Sequence, residues 1–363
     1  MFDFVIVGAG LYGSVFARSV AEKGLKSLVV EKRDHIGGNC YTEKVGEVDV
    51  HVYGPHIFHT SNKRVWDWVN RFSDFTPIQF SPVANYKGEI YSLPFNMWTF
   101  NQMWRVRNKE EAKKVIDSQS FKGIPSNLEE QALSMVGYDI YEKLIKGYTK
   151  KQWGVDPKEL PKSIIKRLPL RFEWNSNYFD DKYQGIPSDG YTKMFESMLD
   201  HENIEVRTGV DYFEDKDAFD AMGRIVVYTG PVDRYFDYCY GDLNYRSLKW
   251  HTEVLDQENY QGCAVMNYTD EDTEHTRCIE HKWFNNKGQK KTVVSKEYPC
   301  EYKRGSEPFY PCYDVESKER YKKYKSLCDK EISVIFGGRL AEYKYYDMHQ
   351  VVASALHGSD QFS

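Results

Sequence analysis

Nowhere in the 363 residues does an apolar stretch approach 18 positions, so no segment reads as a membrane-spanning helix. Paired cysteines are missing as well. The seven present, at 40, 239, 263, 278, 300, 312 and 328, include no CxxC spacing. An odd, scattered set fits neither a disulfide framework nor a zinc ribbon and points to a reducing cytoplasm. An excess of positive charge is also lacking: 49 basic against 54 acidic side chains leave a net charge of −5. That balance gives no field to draw in nucleic acid, so an anionic ligand must be met locally. The opening MFDFVIVGAGLYG has no basic n-region or cleavage site, so secretion is not expected. Aromatic residues, by contrast, are plentiful at 15%, with 28 tyrosines, and rings that both stack and donate hydrogen bonds suit a site for bases and sugars.

Apolar Phe4 to Val7, a helical pattern from Ser14 to Lys23 stopped by Gly24, and apolar Ser27 to Val30 predict β-α-β within about thirty residues. From Lys63 to Trp104 the pattern turns aromatic, with a hairpin-like NYKGEIYSL at Asn85 to Leu93. Residues 109–150 read mainly as helix, with Asn127 as an N-cap. Strands are expected at Ile204 to Arg207 and Ile225 to Tyr228, antiparallel strands from about 245 to 300, a strand at Ile332 to Phe336 and a last helix from Asp347 to Leu356.

GAGLYG sets Gly8, Gly10 and Gly13 in GxGxxG spacing, with Leu11 inside it. The first glycine permits the tight turn, the second admits a pyrophosphate, and the third lets helix and strand pack closely. Glu31 ends the next strand, where an acid accepts from ribose hydroxyls and disfavours a 2′-phosphate. Lys32 and Arg33 follow, and Arg33, Gly37, Gly38 and Asn39 supply a second close-approach loop that a nicotinamide site would not require. The cofactor expected is therefore FAD. His51, His56 and His59 in HVYGPHIFH lack a carboxylate or thiol at a supporting spacing, so no metal is expected, and His56 with Ile57 is read as facing the flavin or substrate.

GAGLYG, RDHIGGN, HVYGPHIFHT, KGYTKKQWG, KRLPLRF, YQGCAVMNY, TRCIEH, PFYP and GGRLAEYKYYDM follow one another in the order found in bacterial UDP-galactopyranose mutases, which the chain resembles over nearly its whole length. The resemblance implies an isomerase that interconverts UDP-galactopyranose and UDP-galactofuranose, with N5 of reduced FAD as nucleophile at the anomeric carbon. It implies Arg167 and Arg277 as cations for the leaving diphosphate, with His56 beside the reacting centre. Tyr148, Trp153 and Tyr178 match the uracil neighbourhood, Tyr310 and Tyr345 grip the diphosphate, and Asn267 lies near the substrate. Arg339, Tyr346, Asp347 and Met348 match flavin contacts, the last helix aiming its N-terminal dipole at the pyrimidine edge. An asparagine that some relatives place near the sugar falls near Phe80 here, which leaves sugar selectivity open, tolerance of a 2-acetamido group included. A cytoplasmic homodimer is implied, with no nucleic acid or membrane partner. The rival readings are an amine-oxidase-like FAD oxidoreductase and a nucleotide-sugar sensor without catalysis.

The expected architecture is α/β with three parts. A discontinuous Rossmann-like FAD-binding domain takes 1–62, about 186–240 and about 330–363; a helical insertion takes about 95–160. A substrate region with a mixed antiparallel sheet takes about 63–94, 161–185 and 241–329.

Overall fold

The computed structural model describes residues 1–165, 170–312 and 314–362. Its first layer is a parallel five-stranded sheet in the order Ile204–Thr208, Ser27–Glu31, Phe2–Val7, Gly223–Tyr228 and Val334–Phe336. Such strands are buried on both faces, which is why Val5, Ile6, Leu28 and Val29 are fully enclosed and read as continuous apolar runs. The order reverses between Phe2–Val7 and Gly223–Tyr228, so the crevice beyond their carboxyl ends is the place a doubly wound sheet offers a ligand. Helices Leu11–Ala21 and Met348–Asp360 pack together on one face through Val15, Phe16, Val352 and Ala355.

The second sheet has seven strands: Tyr310–Pro311, Tyr245–Leu255, Thr292–Glu301, Arg277–Glu280, Val265–Tyr268, Val83–Tyr86 and Glu89–Ser92. Neighbours run antiparallel except Val265–Tyr268 beside Val83–Tyr86, so the sheet is mixed. The hairpin expected at Asn85 to Leu93 is present and turns at Lys87-Gly88, both with positive φ. A helical cluster lies against it: Met97–Trp104, Lys109–Gln119, Leu128–Val136, a π-helical turn Tyr141–Lys146 and Gly147–Trp153. Asn127 caps its helix as expected, its side-chain oxygen accepting from Glu130 N–H at 3.0 Å.

Several boundaries differ from the sequence reading, the last helix running to Asp360 rather than Leu356 and the first ending at Ala21 rather than Lys23. The first helix begins at Leu11 rather than Ser14, because Gly10 sits in extended conformation as its N-cap and the turn feeds the helix directly. The last strand begins at Val334, since Ile332, apolar though it is, lies fully in solvent. Helix Lys63–Val69, which an aromatic-rich reading passed over, is capped by Asn62.

Candidate functional site

Gly8, at φ +107°, turns the chain so tightly that a Cβ there would lie 2.3 Å from Thr229 Oγ1. A Cβ on Gly13 would lie 2.0 Å from the Gly8 carbonyl oxygen, so the third glycine lets the helix close on its own turn. Gly10 is different: the nearest neighbour to a Cβ is the Gly38 Cα at 3.8 Å, and its openness belongs to the cleft. No side chain caps helix Leu11–Ala21, which leaves its first N–H groups and positive end to an anion.

These residues line a cleft of about 530 Å³. Gly8, Gly10, Leu11, Glu31, Lys32, Arg33, Gly38 and Asn39 stand on its wall, whereas Gly13 serves packing. Glu31 is buried, accepting from Ala9 N–H at 2.9 Å and Arg33 N–H at 3.0 Å, so its carboxylate is fixed before any ribose arrives. Sequence reasoning missed the far wall, where Asp211, Phe213, Thr229 and Arg234 meet the segment Gly305 to Phe309. Uncapped N–H groups, close glycines and a fixed acid together fit a dinucleotide cofactor.

A second cavity of about 460 Å³ opens beside it, and His56, Arg339 and Met348 lie on the walls of both. Tyr148, Tyr178, Asn267, Arg277, Ile57 and Asp347 line this chamber. Its apolar side is Phe80, Pro82, Leu93, Pro94, Phe95 and Phe179, with Leu144 and Ile145 beyond. Phe80 packs edge-on to Tyr178 at 5.7 Å and stacks on Phe179 at 5.9 Å. Tyr310 and Tyr345 form an edge-to-face pair at 5.5 Å, and the Arg339 guanidinium lies 5.5 Å from the Tyr345 ring. Tyr310, Tyr345, Trp153 and Tyr346 stand on neither wall: Arg246 lies over the Trp153 ring, and Tyr346 Oη donates to Glu342 at 2.9 Å. Arg167 lies outside the described residues.

Arg277 is held by Glu297 on the adjoining strand, Nε donating at 3.0 Å to both carboxylate oxygens and Nη2 to one of them. Burial pushes the guanidinium down, but Glu297, Tyr148 and Tyr310 outweigh it and hold its pKa above the ordinary value. The cation is thus permanent, though half-compensated. Burial, with the charge of Arg339, lowers His56 to about 4, so its ring is neutral at physiological pH, Nδ1 bonded to the Gly54 carbonyl at 2.8 Å. The His56 backbone N–H donates to His51 Nδ1 at 3.3 Å, and the His51 N–H to His281 Nδ1 at 3.2 Å. An imidazole that accepts through Nδ1 carries its proton on Nε2, so His281 donates to Ser295 Oγ at 2.7 Å. The three histidines of HVYGPHIFH therefore part ways: His51 supports the turn, His56 faces the cavities, and His59 binds Asp181 through Nδ1 at 2.6 Å while stacking on Phe179.

His59, Asp347 and His349 bring one potential ligand atom each within 4.8 Å of one another, a grouping that spacing along the chain could not reveal. Asp181 already engages one nitrogen of His59.

The sequence pattern of the family described as UDP-galactopyranose mutase matches residues 143–345, and that of an NAD(P)-binding Rossmann-like domain matches residues 6–72. The chain is 42% identical to a dTDP-fucopyranose mutase of Escherichia coli, over 97% of this chain and 96% of that one. It is also 42% identical to a probable UDP-galactopyranose mutase of Klebsiella pneumoniae, over 99% and 94%. A crystal structure of a reduced UDP-galactopyranose mutase superposes with a TM-score of 0.74 at 14% identity, covering 99% of this chain and 93% of that one, which shows a shared fold. Likeness to an amine oxidase of Canis lupus familiaris covers 17% of the chain and so falls well short of supporting an oxidase reading. With more than half its length matched by the family pattern and whole-length relatives at this identity, the chain belongs to the UDP-galactopyranose mutase family of isomerases.

Proposed function

We propose that this isomerase interconverts UDP-galactopyranose and UDP-galactofuranose, with FAD in its reduced form as cofactor. The observation that carries the reading is the junction of the two cavities at His56, Arg339 and Met348, which supports a sugar bound in the second chamber next to a cofactor in the first. FAD would be held by Gly8, Gly10, Leu11, Glu31, Lys32, Arg33, Gly38 and Asn39 at its nucleotide end and by His56, Ile57, Arg339, Asp347 and Met348 at its ring. Reduced and bound, it would supply an electron-rich nitrogen as nucleophile for the anomeric carbon.

The chain's own groups do the rest. Arg277 offers the leaving diphosphate a guanidinium whose remaining amino group has no hydrogen bond among the described residues, and a fixed cation stabilises charge that develops there. Tyr310 and Tyr345 stand to grip the same oxygens without adding charge, with Arg167 as the second cation, and Tyr148, Trp153, Tyr178 and Asn267 to hold nucleoside and sugar. Neutral His56 sits between cofactor and sugar without repelling either arginine. Phe80, Phe95, Phe179 and Leu144 exclude water from an activated sugar that hydrolysis would otherwise consume. Helix Met348–Asp360 starts at the chamber wall, its first turn closed by a capping box between Asp347 and Gln350, and its dipole favours an anionic ring at its end. By the same resemblance the chain acts in the cytoplasm as a homodimer and feeds galactofuranose to cell-surface polysaccharide.

The test is to incubate the dithionite-reduced, FAD-loaded protein with UDP-galactofuranose and separate the nucleotide sugars. UDP-galactopyranose should form, and should not form with the oxidised protein. Correctly bound FAD with no conversion would overturn the proposal.

A further inference from the structure

Two walls of the dinucleotide cleft come from distant parts of the chain and meet at one carboxylate. Glu307 lies in the segment between strands Thr292–Glu301 and Tyr310–Pro311, and its Oε1 takes Lys32 Nζ at 2.7 Å while Oε2 takes Arg33 Nη2 at 2.6 Å. Lys32 and Arg33 directly follow the strand that ends in Glu31, and all three line the cleft opposite Gly305 to Phe309. We propose that Glu307 is a cofactor-retention residue, an ion-pair clasp that closes the segment 305–309 over bound FAD and sets how slowly the cofactor leaves.

Both ends of the clasp are anchored. The Glu307 carbonyl accepts from the buried Ser247 hydroxyl at 2.6 Å, and Phe309 N–H donates to the Arg246 carbonyl at 2.9 Å, so this side is fixed to the seven-stranded sheet. On the other side Arg33 also donates to Asn39 Oδ1 at 3.0 Å and lies 4.3 Å from the centre of the Tyr53 ring. Its side chain is only 13% exposed, against 43% for Lys32, so the Arg33 arm is the stronger and the Lys32 arm the more easily screened by salt. The clasp also borders the substrate side, because the Phe309 carbonyl accepts from Arg339 at 3.2 Å and Tyr310 follows at once. An acid here is otherwise unexpected: beside a diphosphate it repels, and a cleft that only needed charge would leave Arg33 to the phosphates.

The inference rests on the proposed FAD binding but not on turnover, and its readout is cofactor release. Load the full chain with FAD, dilute it into a large excess of a non-fluorescent FAD analogue, and follow the FAD leaving. E307Q should release FAD about threefold to tenfold faster than the parent chain at low salt, the range two partly exposed ion pairs allow. Raising salt should speed release from the parent toward the variant and leave the variant unchanged. Release from E307Q within twofold of the parent, or slower because a repelling acid has gone, would overturn the clasp. A chain that binds no FAD would overturn the cofactor reading and the clasp together, whereas tight FAD without isomerisation would overturn the proposed reaction alone.

Discussion

Arg277 and Glu297 are register partners on adjacent antiparallel strands, and the guanidinium of one lies against the carboxylate of the other with only 2% of the acid's side chain exposed. The arginine that faces the chamber is therefore oriented by the sheet itself. Truncating it to alanine is expected to lower kcat/KM about 10²- to 10³-fold, the usual loss when one preorganised donor to developing charge is removed. Lysine should recover little, since it lacks the fork that serves carboxylate and diphosphate at once. Steady-state kinetics on UDP-galactofuranose decide both.

Replacing the other partner tests a different quantity. Glu297→Gln leaves a partly buried cation without its counter-charge and weakens the bond from Thr276 Oγ1, 2.9 Å from the same carboxylate. A loss of about 3 kcal/mol in unfolding free energy is expected, measurable by denaturant titration. A change within 0.5 kcal/mol would show that the pair contributes orientation without stability.

Glycine substitutions should separate cofactor from fold. Gly13→Ala drives a methyl group into the Gly8 carbonyl and is expected to lower the melting temperature whether or not flavin is present. Gly10→Ala meets nothing within 3.8 Å in the chain, so the apoprotein should melt near the parent temperature while FAD affinity falls at least tenfold. Equal FAD affinity in the Gly10 variant would place the pyrophosphate elsewhere.

Acid should unfold the protein through its buried imidazoles. Burial lowers His281 to about 3 and His51 well below its ordinary value, the latter with help from His281 and His56. Both are neutral when folded and accept backbone N–H groups at Nδ1, a position a proton would spoil. In the unfolded chain each takes up a proton near pH 6.5, so their stabilisation is complete above that pH and falls as pH drops from 6.5 toward 3, by about 1.4 kcal/mol per unit for each imidazole. Unfolding midpoints between pH 7 and 4.5 should show this slope, reduced by about one proton in a His281→Asn variant.

The sequence made visible whatever its neighbours along the chain determine. Gly8, Gly10, Gly13 and Glu31 announce the cleft because turn, helix and strand follow within thirty residues, and Asn127 announces its helix by the same locality. Glu297, Glu307 and Asp181 were invisible, for each acts on a group brought near by sheet pairing or loop packing. Only the resemblance put Phe80 near the sugar, and nothing marked Phe179; their position at a chamber wall depends on the Tyr178 N–H donating to the Phe80 carbonyl at 2.7 Å, a contact between segments a hundred residues apart. Trp153 shows the converse: the family motif marks it, yet it packs with Arg246 behind the wall.

The parallel pairing of Val83–Tyr86 with Val265–Tyr268 has a consequence for how the protein is made. A ribosome that has finished the hairpin must extend the chain past Met266 before that hairpin finds its neighbour, and the first strand, paired early with Ser27–Glu31, must wait for Gly223 on its other edge. At ~5–20 residues per second the nascent chain spends ~10 s or more with these edges unpaired. The fifth strand of the parallel sheet and the helix that backs the glycine turn come later still, from Val334 onward. Cofactor capture should therefore wait until the chain has passed Asp360, and fragments cut short before Val334 should emerge without cofactor.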